Sequence, residues 1–138
     1  MLDRVAVAAL LPQKFPFLLV DKMYAYSETK ITTGLKIQEE NIFVDNETFV
    51  ASGLIEHMAQ SVALHTGYQF FLKNEQAPTG YIGSIKDIEI KQLPKLGDEV
   101  RTTVTILQEF MGITLVDIST QLNKMEIAKG QMKTVLAK

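Results

Sequence analysis

The order of periodicities along this chain predicts an α+β fold: two strands, one long apolar helix, then four antiparallel strands. Three observations carry that reading. Ser52–Leu72 (SGLIEHMAQSVALHTGYQFFL) runs without proline, lysine or arginine and with one acid, Glu56, as a helix of about 30 Å would. Two segments that read as strands precede it, and the last third alternates in the manner of half-buried strands. A lone apolar helix among meandering strands is buried most economically by a sheet that curls round it. At 138 residues the chain reads as a single domain, 1–138, without linker, repeat or low-complexity tract, and large enough to bury roughly two-thirds of its unfolded surface.

Each element has a local signal. Residues 3–10 form a short helix broken at Pro12. Phe17–Ser27 and Lys30–Gln38 read as strands around a turn at Ser27–Thr29, with Gly34 as a bulge candidate. Glu39–Ala51 is an acidic loop in which Asp45-Asn46 marks a turn, and Thr48 or Ser52 marks the helix start. Asn74–Thr79 closes the helix, with Pro78 beyond it. Ile82, Ser84, Lys86, Ile88 and Ile90 oppose Tyr81, Gly83, Ile85, Asp87 and Glu89, a pattern that leaves the inward face open. After the turn cluster Leu93–Asp98, Val100, Val104 and Ile106 alternate with Arg101, Thr103 and Thr105. Met111-Gly112 turns the chain into Thr114, Val116, Ile118 and Thr120, which oppose Leu115, Asp117, Ser119 and Gln121. Asn123-Lys124 is a hairpin leading to a last strand, Met125 to Leu136, which Gly130 is expected to bend.

At about 100° per residue, Ile55, Met58, Ala59, Val62, Ala63 and Phe70 share a broad apolar arc of the long helix. Glu56, Gln60 and Gly67 lie on a narrow stripe at its edge, and His57, Ser61, His65 and Tyr68 lie further round. An unpaired buried carboxylate costs several kcal/mol, so Glu56 needs a partner, a water-lined cleft or a chemical task. Two readings stand side by side: a first-turn acid favoured by the helix dipole, and a catalytic carboxylate. His57 and His65 are eight apart, a poor spacing for metal ligation, and read as packing or surface residues.

Composition narrows the function classes. A hydrophobic fraction of 46% and a charged fraction of 22% are ordinary for a globular protein. The formal charge of −2 argues against nucleic-acid binding, for which a basic stripe is expected. Without cysteine there is no disulfide, thiolate nucleophile or Cys-based metal site, and no metal or cofactor is expected. The N-terminal MLDRVAVAALLPQ lacks a basic leading region, so no signal peptide is read. A membrane span is disfavoured by Glu56, His57, Gln60, His65 and Gln69 within the long helix, and the cytoplasm is the expected location. Sheet edges open in so small a domain predict pairing with a second subunit, a homodimer.

Several motifs carry a family resemblance. Leu10–Asp21 (LLPQKFPFLLVD), Gly53–Gln60 (GLIEHMAQ), Tyr81–Lys86 (YIGSIK) and Gly97–Val100 (GDEV) occur in an order and spacing that resemble the hotdog-fold β-hydroxyacyl-acyl-carrier-protein dehydratases of the FabZ type. Within that group the chain is similar to the divergent dehydratase-like proteins of bacterial aryl-polyene and related pigment pathways. The resemblance implies a hotdog fold, a lyase of fatty-acid or polyene-type lipid biosynthesis, and an acyl thioester on acyl carrier protein or coenzyme A in a dimer-interface groove. It carries over the helix acid Glu56, its Gln60, the preceding Gly53 and the Pro16-Phe17 run. The family's His-Phe-Pro-Gly stretch is Asn41-Ile42-Phe43-Val44-Asp45 here, and the histidine of its N-terminal run is Gln13.

Dehydration needs a base for the C2 proton, an acid for the departing hydroxyl and a donor to the thioester carbonyl. Helix-start amides near Gly53 and Leu54 are candidates for the donor, Gln60 for orienting Glu56, and Phe17 for lining the substrate site. His57 is the nearest second proton-transfer group, although it projects away from Glu56 and would have to act across a dimer interface. Three functions compete: a dehydratase using Glu56; a thioesterase using one helix acid and one backbone donor; and a non-catalytic subunit that binds acyl chains or completes an active partner. Lys14, Lys86, Lys91 and Lys95 are candidate contacts for an acidic carrier protein, beside the plainer reading of scattered solvated lysines.

Overall fold

The computed structural model describes residues 3–136. A short helix α1 (Arg4–Leu10) is capped by the Asp3 carboxylate, which accepts from the Ala6 amide at 3.1 Å. Strands β1 (Lys22–Ser27) and β2 (Lys30–Lys36) follow, then a small hairpin of β3 (Val44–Asp45) and β4 (Thr48–Phe49). The long helix α2 (Ala51–Leu72) comes next, and β5 (Gly80–Ile90), β6 (Glu99–Phe110), β7 (Ile113–Leu122) and β8 (Met125–Leu136) complete the chain. Among the described residues no helix is long and apolar enough to cross a membrane.

Six strands form one antiparallel sheet in the order β1-β2-β6-β7-β8-β5, and α2 packs on its inner face. This is the expected α+β arrangement, with the two strands before the helix joined through β2–β6 to the four that follow it. Val100, Val104, Val116, Ile118 and Met132 point inward to meet Leu54, Met58, Val62 and Leu64 of α2, all buried. Full burial of each such side chain contributes about 1.5–3 kcal/mol. The two tight hairpins have the chemistry their residues predict: Met111-Gly112 and Asn123-Lys124 both take positive φ at both positions, as the primed turns joining twisted strands require.

Three expectations are corrected. Phe17–Asp21 is not strand but an extended approach to β1: side chains of α2 hold Phe17 and Leu19, and the segment meets β2 at Asp21, whose amide donates to the Gly34 carbonyl at 3.0 Å. The bulge falls at Tyr24 of β1 and not at Gly34, where the β2–β6 register is unbroken. A Cβ on Gly34 would come within 2.8 Å of the Tyr24 ring, so this glycine makes room for an aromatic side chain. Gly130 lies within a continuous β8, opposite the β5 irregularity at Lys86/Glu89, and a Cβ there would lie 2.3 Å from Cδ1 of Ile88. The ambiguous inward face of β5 has a cause: its register against β8 slips at Ile82/Ser84 and again at Lys86/Glu89, inverting the alternation.

The third correction concerns α2. Its buried residues include Gly53, His57, Gln60, Ser61, His65 and Gly67 as well as Leu54, Met58, Val62 and Leu64. The buried side therefore covers more than half of the helix, from Gly67 and Gln60 round to Val62, and the His57–Ser61–His65 stripe faces the core. Those polar groups are tolerated inside because each finds a hydrogen-bond partner there. By contrast β5 is exposed from Gly80 to Asp87, with Tyr81, Ile82 and Ile85 showing apolar surface on the sheet's outer edge.

Candidate active site

α2 grips the Phe17–Leu19 segment through two side chains one turn apart. The Gln60 amide donates to the Phe17 carbonyl at 2.8 Å and accepts from the Leu19 amide at 2.7 Å, as a neighbouring strand would. His57 Nδ1–H donates to the Leu19 carbonyl at 2.7 Å, because a carbonyl only accepts. Burial lowers the His57 pKa from 6.5 to about 4, so the ring is neutral and Nε2 accepts from the Thr102 hydroxyl at 2.8 Å. Thr102 Oγ1 in turn accepts from Thr120 at 2.7 Å. On the next turn Ser61 donates to the His57 carbonyl at 2.9 Å and accepts from Thr33 at 2.8 Å. His65 Nε2–H reaches the Ser27 carbonyl at 2.9 Å, with its ring against Tyr26.

Glu56 belongs to a different stripe. Gln60 Nε2 donates a second hydrogen bond, 2.9 Å, to Glu56 Oε2, fixing the carboxylate on the wall of a cavity of about 300 Å³. That cavity lies between α2, the segment after α1, the start of β5 and the end of β8. Leu10, Ala59, Val62, Ala63, Ile82 and Leu136 give it an apolar lining. Glu56 and Tyr81 are the titratable side chains among its lining residues. Gly67 sets its depth: a Cβ there would lie 2.5 Å from the Leu10 carbonyl oxygen, so only glycine lets α1 settle this close to α2. The small residues Ala59, Ala63 and Gly67 thus form the floor, on the side of α2 where the apolar arc meets the Glu56–Gln60–Gly67 stripe.

The predicted residues divide accordingly. Glu56 and Gln60 come together at the cavity. His57 does not: it is fully buried, with both ring nitrogens engaged on the sheet side of the helix. Gly53 and Leu54 also lie elsewhere. A Cβ on Gly53 would meet Phe43 at 2.5 Å, and the Leu54 amide already donates to the Val50 carbonyl at 3.1 Å. Phe17 contributes its carbonyl to Gln60, while its ring is exposed and outside the cavity. Of the four lysines, Lys14 donates to the Ala8 and Leu11 carbonyls, and Lys91 pairs with Glu126 at 3.4 Å. Lys86 and Lys95 are exposed. Sequence reasoning missed the lining supplied by Gln13, Thr66 and the β5 and β8 termini. Gln13 alone had left a signal, as the residue standing where the resembling family has histidine. Among the described residues no cluster of three or more His, Asp or Glu is placed to hold a metal ion.

A six-stranded antiparallel sheet packed on one long helix, with a helix carboxylate facing a mostly apolar cavity, defines a hotdog-fold protein. The chain belongs to the ApeP-like (ApeP dehydratase) family, which matches residues 5–138. The 3-hydroxyacyl-[acyl-carrier-protein] dehydratase FabZ of Vibrio cholerae serotype O1 is 27% identical over 133 residues, covering 92% of this chain and 86% of that protein. Among solved structures, the dehydratase heterocomplex ApeI:P from Xenorhabdus doucetiae superposes with a TM-score of 0.89 at 14% identity, over 96% of this chain and 91% of that one. A Streptococcus mutans protein solved bound to acetyl CoA gives a TM-score of 0.70 at 12% identity, over 92% of this chain and 95% of that one. These two structural likenesses establish the hotdog fold.

Proposed function

We propose that this chain, acting as one hotdog domain, removes water from 3-hydroxyacyl thioesters carried on acyl carrier protein or coenzyme A, with Glu56 as the proton-transfer group. The observation that carries the proposal is the Glu56 carboxylate, fixed by Gln60 on the wall of a mostly apolar cavity. An acyl tail suits that lining, because burying each methylene contributes about 0.8 kcal/mol. One carboxylate closes the atom balance. Glu56 takes the C2 proton, the released electron pair forms the C2–C3 double bond, the C3–O bond breaks, and the same proton passes to the departing hydroxide as water. In this reading His57 is a structural residue, and Gly53 and Leu54 act through packing.

The exposed apolar edge at Tyr81, Ile82 and Ile85 supports a second part of the proposal: β5 pairs with another hotdog subunit, extending the sheet and covering the open side of the cavity. The partner is a second copy of this chain or a related dehydratase subunit. Light scattering of the purified chain separates the two: a dimer supports self-pairing, a monomer supports a heteromeric partner.

The test is the product of a 3-hydroxyacyl thioester on carrier protein, with and without Glu56→Gln. Appearance of the enoyl thioester, lost in the variant, supports the proposal. Free thiol without unsaturation would establish a thioesterase instead. Equal enoyl formation by the variant would remove Glu56 from the chemistry.

A further inference from the structure

We infer that Ala63 sets the length of acyl tail the cavity accepts, with the tail lying along α2 from Glu56 toward Gly67. The inference rests on the dehydratase reading of Glu56 and adds the residue that selects among its substrates. On α2 the lining of the cavity begins at Glu56 and ends at Gly67. At about 100° per residue, Ala63 and Gly67 each fall within about 20° of Glu56 round the helix. Along the axis Ala63 stands about 10 Å and Gly67 about 16 Å beyond Glu56. The cavity is therefore a lane that leaves the carboxylate in one direction. At its far end Gly67 lies against the Leu10 carbonyl, whose oxygen would be 2.5 Å from an added Cβ.

Tethering decides which half of the substrate takes the lane. C2 and C3 belong beside Glu56, so one of the two halves extends toward Gly67. The thioester arm carries amides that need hydrogen-bond partners, and it has to emerge to reach its carrier. The tail has neither requirement. Leu10, Val62, Ala63, Pro78 and Leu136 give the cavity its mostly apolar lining, and the Gly67–Leu10 contact bars the end of the lane to a tethered arm. The tail therefore occupies the lane and ends against that contact. Ala63 stands between the carboxylate and the end, so a larger side chain there takes the space of tail carbons more than about 10 Å from C3.

The experiment measures kcat/KM for enoyl formation over a ladder of straight-chain 3-hydroxyacyl thioesters on acyl carrier protein, with whichever hotdog partner the chain requires. For the parent, kcat/KM is expected to rise by up to about fourfold per methylene and to stop rising once the tail spans the lane. Ala63→Leu is expected to end that rise about four methylenes earlier, roughly one helical turn, and to lower the long-to-short ratio of kcat/KM by about tenfold or more. The ratio compares substrates on one sample, so it does not depend on the fraction folded. Ala63→Val makes a smaller intrusion should the leucine variant not fold. An unchanged ratio in a folded variant overturns the role of Ala63, as does an equal fall at every length. A parent that forms enoyl product equally well at all lengths overturns this inference and leaves the dehydratase reading intact. Absence of enoyl product at every length, with the partner present, overturns both.

Discussion

Glu56 and His57 are adjacent in sequence and about 100° apart on α2, and they end in opposite situations. On the sheet side, His57 and Ser61 are closed into a ladder with Leu19, Thr33, Thr102 and Thr120 in which both imidazole nitrogens and both serine roles are taken. On the other side, Glu56 faces a cavity, and among the described residues its carboxylate accepts a hydrogen bond from Gln60 alone. The difference separates architecture from chemistry. A buried polar group whose bonds are all met within the fold specifies register and rigidity. In the proposed reading, a polar group held in place but left incomplete is where a ligand finishes the hydrogen bonding. Gln60 belongs to both sides, since the same amide orders Phe17–Leu19 and fixes Glu56.

The comparison sharpens under mutation. His57→Ala removes a ring that satisfies the Leu19 carbonyl and the Thr102 hydroxyl and leaves a cavity, for an expected loss of about 3–4 kcal/mol in urea unfolding. The activity of the fraction that stays folded should change little. An activity lost while the fold remained intact would place His57 on the chemical side.

Acid should act through the same ring. Unfolded His57 takes up a proton below its ordinary 6.5, whereas the buried ring resists protonation down to about 4. The stability it contributes is thus fully present above 6.5 and is lost as pH falls toward 4, by up to about 3 kcal/mol. Unfolding midpoints of parent and His57→Gln should diverge at about neutral pH and converge near the folded value. Parallel pH curves would contradict a neutral buried ring.

Gln60→Leu breaks both regions at once, with about 2 kcal/mol of stability and most of the turnover expected to disappear together. Turnover unaffected in a folded Gln60→Leu protein would show that Glu56 needs no support. Gly67→Ala forces a methyl against the Leu10 carbonyl at 2.5 Å, expected to cost about 1–3 kcal/mol and to widen the gap between α1 and α2. The smallest effect belongs to Thr33→Val, about 1 kcal/mol, because Ser61 keeps its bond to the His57 carbonyl.

Much of this was legible in the residues. The strand–helix–strand order, both tight hairpins and the inward faces of β6 and β7 follow from periodicity and turn chemistry. The Glu56–Gln60–Gly67 stripe, read from helical spacing alone, is a wall of the cavity. What was not legible depended on partners distant in sequence. A helical wheel places His57, Ser61 and His65 on a polar side, and nothing local announces that Thr33, Thr102 and Thr120 wait there to satisfy them. The carbonyls that Gln60 and His57 hold turned an expected strand at Phe17–Asp21 into a tethered loop. Gly53 and Leu54 read as helix-start amide donors to a thioester carbonyl, but Phe43 packs where a Gly53 side chain would stand and the Leu54 amide is taken by the Val50 carbonyl. The bulges of β5 are set by β8 and Ile88, which no alternation pattern within β5 can reveal.

The central claim is that the two sides of α2 perform separate tasks, with Glu56 on the chemical side. Its most direct test is Glu56→Gln measured per folded molecule, with enoyl thioester formation and melting temperature read on the same sample, in the presence of whichever hotdog partner the chain requires. Enoyl formation is expected to fall by about a hundredfold or more with the melting temperature nearly unchanged. Enoyl formation at the parent rate, or a loss of activity that only follows unfolding, would contradict the account.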